Sequence, residues 1–333
     1  MKIVLLVNPA SGKGRGIAAA DEIAAALRAH DTRIVTTRAS DHSGHMAWLT
    51  KELSDGGADL CVVIGGDGTM NAALPALLEC QVAVYHAAMG TENLFAREFD
   101  MRPRDGETLG AKIVGAVARH KVIEVDIGTV WIEEVRETGA AVSPQPTRLG
   151  QPRDGVVVFA LMASLGPDAG VVRRLSAARK GPITHRSYLG PIFQEMRSPY
   201  LPRVSIQVDG RSVVDAERGM VVVANSRQYA LRMNPAYRAS MTDGLLDVVF
   251  FPAQGALQTV QWLFAARLGS RGRDEGLTYV QGKHVRINAE ALDSGHHHAL
   301  QVDGDELPLQ DHSSVLTLDF ALCAAKLQVL CSA

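Results

Sequence analysis

Leu60-Cys61-Val62-Val63-Ile64-Gly65-Gly66-Asp67-Gly68-Thr69-Met70-Asn71 is the stretch that decides the architecture. With the residue before it, Asp59–Ile64 reads as a buried strand. The glycines that follow permit positive φ and a close backbone approach. Thr69–Leu78 then reads as a helix. Strand, glycine turn and helix make the repeating unit of a parallel α/β sheet, which takes ligands at the carboxyl ends of its strands. A helix N-terminus adds unpaired N–H groups and partial positive charge, so the turn suits phosphate. Asp67 would repel a bare phosphate. It fits a site that also takes Mg²⁺, directly or through water, or one that orients the attacking group. The plainer reading is an N-capping Asp in an ordinary glycine-rich turn.

The same alternation extends outward. Lys2–Val7 reads as a strand, and Ile17, Ala20, Ile23, Ala24 and Leu27 recur at helical spacing. Arg33–Thr37 predicts a strand, Gly44–Leu53 a helix and Val82–Tyr85 a further strand. Two more glycine turns follow strands, at Asn8–Gly14 and at Met89–Asn93. The first matches neither GxxxxGK[ST] nor GxGxxG. In the second, Thr91 and Asn93 can offer a hydroxyl and an amide to a nucleotide, or simply cap a helix. After residue 124 the texture changes. Val122–Trp131 is strand-like, and Glu133–Asp154 holds prolines at 144, 146 and 152 among polar residues. Strand-like segments then dominate: 156–162, 203–208, 219–224, 245–251, 284–287, 300–302 and 315–318. Turn pairs such as Asp209-Gly210, Asp243-Gly244 and Asp303-Gly304 punctuate them, and helices are expected near 168–180, 186–197 and 255–268. This pattern predicts an antiparallel sandwich. The expected organisation is an α/β domain over 1–124 and a β-rich domain over 125–319. The segment from about 320 to 333 is expected to pack back on the first.

Composition supports two domains and removes several classes. The chain has 333 residues, 47% of them apolar, which is ample for two cores. Lys plus Arg is 34 against 36 for Asp plus Glu, so a nucleic-acid binder working through bulk charge is disfavoured. Cysteines 61, 80, 323 and 331 have no paired spacing and read as reduced thiols of a cytoplasmic protein. The apolar run before Asn8 is too short for a signal peptide. No window approaches ~18 uninterrupted apolar residues, so no membrane span is expected. A homodimer is compatible with the sequence and not required by it.

Taken in order, the motifs resemble the diacylglycerol kinase catalytic-domain family, which includes bacterial lipid kinases and sphingosine and ceramide kinases. They are Asn8-Pro9…Gly12, Gly65-Gly66-Asp67-Gly68-Thr69…Asn71, Gly90-Thr91-Glu92-Asn93 and Val125-Asp126-Ile127-Gly128. The resemblance continues through Ala163–Ala169, Val223-Ala224-Asn225, Thr242–Val248 and Val302-Asp303-Gly304-Asp305. It implies a Rossmann-like nucleotide domain of the NAD kinase and diacylglycerol kinase type, followed by a β-sandwich, with the active site between them. The implied activity is transfer of the γ-phosphate of ATP, with Mg²⁺, to a hydroxyl of a diacylglycerol-like or sphingoid-like lipid at a membrane surface. Gly65, Gly66, Asp67, Gly68, Thr69, Asn71, Gly90, Thr91 and Asn93 would hold the nucleotide, with Asn8 and Thr37 close by. Asp67 and Asp126 would organise the catalytic Mg²⁺. Asp243, with carbonyls near Ser240 and Leu245, matches the family's second, structural metal site.

The family's Asp-Gly-Glu motif supplies the carboxylate that takes the proton from the lipid hydroxyl. Here it reads Asp303-Gly304-Asp305, with Glu306 next. Neighbours in a strand face opposite sides, so without a bulge only one of the two can be the base. Asp305 is the expected one; the alternative is a plain hairpin Asp. Ala72 stands where the family commonly has Glu, and Glu92 and Leu94 interrupt its Gly-Thr-Gly-Asn-Asp run. Two other functions stay open: a kinase of a soluble acceptor, NAD kinase-like, and a catalytically weak regulator that binds nucleotide or lipid. His296-His297-His298 reads as a solvated loop. Arg173, Arg174, Arg179, Lys180 and Arg186 read as a solvated face or as a basic rim for anionic headgroups.

Overall fold

The computed structural model describes residues 1–30, 33–37, 42–55, 57–136, 141–142, 156–178, 185–268, 276–290, 298–307, 309 and 313–332. The chain divides into two compact units, Met1–Asp126 with Ala324–Ala333, and Ile127–Cys323.

The first unit runs β1 (Lys2–Val7), α1 (Ser11–Gly14), α2 (Gly16–Arg28), β2 (Arg33–Thr37), α3 (His42–Ser54), β3 (Leu60–Gly65), α4 (Asp67–Cys80) and β4 (Ala83–Ala88). It continues with α5 (Leu94–Glu98), α6 (Leu109–Arg119) and β5 (Val122–Val125). Strands β1 and β3 are buried along their whole length, which is why they read as unbroken apolar runs. Of the predicted stripe, helix α2 buries Ala20, Ile23, Ala24 and Leu27 and leaves Ile17 half-buried. The sheet order is β2-β1-β3-β4-β18-β5, where β18 is Leu327–Leu330, encoded after the whole second unit. Strands β2, β1, β3, β4 and β18 are parallel, whereas β5 runs antiparallel to β18. The sheet is therefore mixed rather than parallel throughout. A strand that returns after a separate domain need not arrive through a crossover helix, so its neighbour is free to oppose it.

The second unit contains β6 (Gly128–Arg136), β7 (Ala141–Val142), β8 (Val156–Phe159), β9 (Met162–Leu165), α7 (Pro167–Ala178), α8 (Leu189–Arg197), β10 (Arg203–Val208) and β11 (Arg211–Ala224). After these come β12 (Leu246–Pro252), α9 (Ala256–Leu268), β13 (Thr278–Gly282), β14 (His284–Glu290), β15 (Leu300–Val302), β16 (Asp305–Leu307) and β17 (Ser313–Leu322). All described pairings in this unit are antiparallel. The long β11 pairs with β10 through its first half and with β9 and β12 through its second, so one strand joins the two layers. The layers share one core. Val204, Ile206, Ile287, Leu318 and Phe320 come from one side; Leu165, Val221, Val223, Val248 and Val302 come from the other.

The stretch expected as one strand over Val122–Trp131 is broken at Asp126-Ile127, where the chain leaves one sheet for the other. Asp126 and Gly128 stand at the break, between two segments that are each mostly apolar. Of the proline-containing excursion, 137–140 and 143–155 lie outside the described residues. No described helix is long and apolar enough to cross a membrane.

Candidate active site

Three βα turns meet at the carboxyl ends of adjacent parallel strands β1, β3 and β4. The Asn8 amide Nδ2 donates to Thr69 Oγ1 at 3.1 Å, and Asn8 N–H donates to the Ile64 carbonyl at 3.0 Å, which ties the first turn to the second. The second and third turns touch through backbone alone. A Cβ on Gly90 would fall 2.9 Å from Gly66 Cα and 2.8 Å from Asn93 Oδ1. Only glycine permits that approach. Asn93, at φ 50, accepts from Gly90 N–H through Oδ1 (2.7 Å) and donates to the Gly90 carbonyl through Nδ2 (2.8 Å).

The Gly65 carbonyl is fixed by two donors, Met89 N–H at 2.7 Å and His86 Nε2 at 3.1 Å. A carbonyl only accepts, so the proton of His86 sits on Nε2. In a trans peptide the next N–H points the opposite way, so pinning this carbonyl also fixes the direction of Gly66 N–H. Gly66 precedes α4, whose first-turn N–H groups have no carbonyl four residues back. His86 is fully buried on β4. Burial holds its pKa below the ordinary value, opposed by the Asp67 carboxylate and the Gly65 carbonyl, while Arg102 adds to the lowering.

Asp67 opens α4, and its Oδ1 accepts from Phe95 N–H at 3.3 Å. Asn71 is buried, and its Nδ2 is a donor with no acceptor. Thr91 is exposed in the third turn. Thr37 ends β2 and pairs in register with Leu6, two residues before Asn8. Asp126 follows β5, which β18 separates from β4, and its buried carboxylate pairs with the partly exposed Lys326. The structure thus brings together Asn8, Gly65–Asn71 and Gly90–Asn93, with Thr37 at the end of the next strand and Asp126 two strands beyond β4. Glycine turns at a helix N-terminus, the Asp67 carboxylate that opens that helix and the buried Asn71 amide donor without an acceptor fit a phosphorylated ligand carrying a cation.

In the second unit, Asp303 turns the hairpin between β15 and β16 at φ 50. Its buried carboxylate accepts from the N–H groups of Ala160 (2.7 Å), Leu161 (2.8 Å) and Met162 (2.8 Å). The neighbouring Gln301 donates to Ser164 Oγ (2.8 Å) and accepts from Gly304 N–H (2.8 Å). Ser164 and Tyr229 both donate to Oδ2 of Asp168, whose burial raises its pKa against those two hydrogen bonds. This network holds the turn that presents Asp305. Glu306 takes the other direction, toward α7. Its pKa is raised by burial and lowered in part by Arg173 and a hydrogen bond from Ser176.

Ser240, Asp243 and Leu245 lie in the loop before β12. Asp243 Oδ1 accepts from Leu245 N–H at 3.1 Å, and Ser240 Oγ is 3.2 Å from Thr242 Oγ1. Asp247 behind them is fully buried and accepts from Tyr279 (2.6 Å) and Gln281 (3.2 Å). Among the described residues no three His, Cys, Asp or Glu side chains cluster as a metal site.

Sequence reasoning missed His86, Lys326 and the Ser164–Asp168–Tyr229–Gln301 network. A polar residue inside the apolar run Val82–Ala88 was the available signal for His86. The expected solvated histidine loop needs correction. His298 is buried and its Nδ1 lies 2.6 Å from Tyr200 Oη, while 296 and 297 lie outside the described residues. The expected basic face is described only in part. Arg174 is committed to the buried Glu195 at 2.7 Å, and Arg179, Lys180 and the Arg186 side chain lie outside the described residues.

Residues 2–130 match the diacylglycerol kinase catalytic domain, and residues 162–317 match the YegS C-terminal NAD kinase beta sandwich-like domain. The chain is 22% identical over 329 residues to a diacylglycerol kinase of Mycobacterium tuberculosis (strain CDC 1551 / Oshkosh), covering 99% of this chain and 94% of that one. A crystal structure of a diacylglycerol kinase from Bacillus anthracis str. Sterne has the same fold at 18% identity and TM-score 0.62, covering 99% of this chain and 96% of that one. Yeast NADH kinase, solved with NADH, is similar at 12% identity and TM-score 0.50, over 99% of this chain and 83% of that one. With its glycine turns in the first of the two matched domains and its Asp303–Asp305 hairpin in the second, the chain belongs to the diacylglycerol kinase catalytic-domain family.

Proposed function

We propose that the protein is an ATP- and Mg²⁺-dependent lipid kinase that phosphorylates a hydroxyl of a diacylglycerol-like or sphingoid-like lipid. The observation that carries the reading is the three-turn cradle, in which Gly66 and Gly90 pack backbone to backbone beside the open N-terminus of α4. Gly66, Gly68, Thr69, Asn71 and Thr91 would bind the nucleotide phosphates, with Asn8 holding Thr69 in place. Asp67 is the carboxylate available to a cation, since Asp126 is already balanced by Lys326. Ser240, Asp243 and Leu245 are the residues for a second, structural cation. Bound Mg²⁺ supplies charge neutralisation on the phosphates, and phosphoryl transfer asks little else of the protein than positioning.

Asp305 is the group for the acceptor proton. Glu306 is engaged with α7, which leaves Asp305 on the face that Glu306 cannot serve. The Asp303 clamp and the Gln301–Gly304 bond position Asp305 without touching the reacting atoms.

The likeness to yeast NADH kinase favours one rival, a kinase of a soluble dinucleotide. Transfer of labelled γ-phosphate from ATP to a panel of mixed-micelle lipids, with NAD and NADH lanes, separates the two. A labelled lipid is expected, with Asp67→Ala and Asp305→Ala each reducing the rate by about 10²–10⁴. Label only in a dinucleotide lane would transfer the protein to the rival. ATP binding without transfer to any acceptor would leave a regulator.

A further inference from the structure

Within the expected basic stretch Arg173–Arg186, Arg174 is committed to Glu195, and the second unit carries another surface with a clear chemical character. Helices α8 and α9 pack against each other. Between them they display Leu189 at 67% exposure, Phe193 at 68%, Leu257 at 74% and Phe264 at 63%. Only Met1, Val122 and Trp131 are other large exposed apolar residues among those described, and none exceeds 42%. The four follow helical spacing. Leu189, Phe193 and Arg197 step by four along α8, and Leu257, Gln261 and Phe264 line one face of α9.

These side chains do not point outward through loose packing, because both helices are anchored by their opposite faces. In α9, Trp262 donates to the Pro252 carbonyl at 2.8 Å and meets Phe251 edge-on at 5.4 Å. In α8, Glu195 is fully buried against Gly170, takes Arg174 at 2.7 Å and accepts from Tyr200 N–H at 2.8 Å. The charge pattern is one-sided as well. The exposed charges on the described side chains of the two helices are Arg197 and Arg267, each in a last turn, and the one acid, Glu195, is buried and paired.

We infer that the α8–α9 face is a docking surface for an anionic lipid bilayer. Phe193, Phe264, Leu189 and Leu257 enter the headgroup–acyl boundary, and Arg197 and Arg267 meet the phosphates above it. A second copy of the chain is the poorer occupant. A two-fold contact would press each arginine-bearing face onto its own like, with no exposed acid on either helix to compensate. The inference rests on the lipid-kinase reading for its purpose, since such an enzyme must reach a membrane-borne acceptor. Its detection needs no turnover.

The experiment is co-sedimentation of the full chain with vesicles of phosphatidylcholine alone and of phosphatidylcholine with phosphatidylglycerol. The wild type should pellet with the anionic vesicles and much less with the neutral ones. Phe193→Ser/Phe264→Ser should weaken that partition by roughly 10–100-fold at an unchanged melting temperature, as expected for losing two buried aromatic groups. Arg197→Glu/Arg267→Glu should abolish the preference for anionic vesicles. Wild-type protein that stays in the supernatant, or a double Phe variant that pellets like wild type, overturns the inference. So does a wild-type dimer in light scattering that the same variant splits into monomers. Vesicle binding without phosphate transfer to any lipid would remove the kinase reading and leave the docking surface standing.

Discussion

The glycine turns of the first unit and the Asp303 hairpin of the second are held by opposite means. At Gly66 and Gly90 the site exists because side chains are absent, and backbone meets backbone. At Asp303–Asp305 it exists because side chains are abundant: one carboxylate gathers three N–H groups, and a second layer of Gln301, Ser164, Tyr229 and Asp168 supports it. Their buried titratable groups also lean opposite ways. Burial keeps His86 neutral by lowering its pKa, whereas burial of Asp168 and Asp247 raises theirs. A cradle made by absence is sensitive to any added atom, and a hairpin made by hydrogen bonds is sensitive to any lost acceptor.

The largest break should come at Asp303→Ala, which strands three buried donors and should destabilise the second unit by about 3–5 kcal/mol. Calorimetry is the check. Nucleotide affinity of whatever fraction stays folded should be untouched. Next is Gly90→Ala, whose Cβ has no room beside Gly66 and Asn93. It should cost about 1–3 kcal/mol and remove nucleotide binding, read by titration with a fluorescent ATP analogue.

The pH comparison should give smaller effects of opposite sign. His86 in the folded state binds its proton less readily than in the unfolded chain. Stability should therefore fall as pH drops below about 6.5, the ordinary histidine value. His86→Leu should flatten that limb. Asp168 binds its proton more readily when folded. Its contribution should fall as pH rises from about 3.8, the ordinary value, through the raised one, and Asp168→Asn should flatten that limb instead. Melting temperatures across pH 4–8 test both, and equal flattening by either variant would erase the contrast. The smallest effect is expected at Glu306→Gln, which should leave phosphate transfer within about threefold of wild type, because Glu306 faces α7. A loss as deep as that of Asp305→Ala would move the proton acceptor one residue along.

The cradle was legible in the sequence because its signal is local. Apolar run, glycine cluster and helix are contiguous in Leu60–Leu78, and the same grammar repeats at Asn8 and Gly90. The sandwich was legible as strands and turns, although short elements such as β13 and β16 were not. Three to five residues without strict alternation carry too little pattern. The antiparallel direction of β5 was not legible, because pairing direction lies in the connection and not in the strand's own residues. The Asp168 network was invisible for a different reason. Its members are separated by 61 and 137 positions, and an isolated Tyr229 or Gln301 looks like any other. His298 was misread through its neighbours, since three adjacent histidines look solvated until one of them meets Tyr200.

Strand β18 lies between β4 and β5 in the first sheet, and Lys326 beside it pairs with Asp126 across 200 positions of chain. A ribosome therefore emits β1 to β5, then the whole second unit, before it emits the strand that joins β4 to β5. Until then both strands offer unpaired edges, the kind of surface that recruits other chains. The order of synthesis runs against the order of assembly. The nascent first unit must wait, tethered and incomplete, for a piece made about 200 residues later.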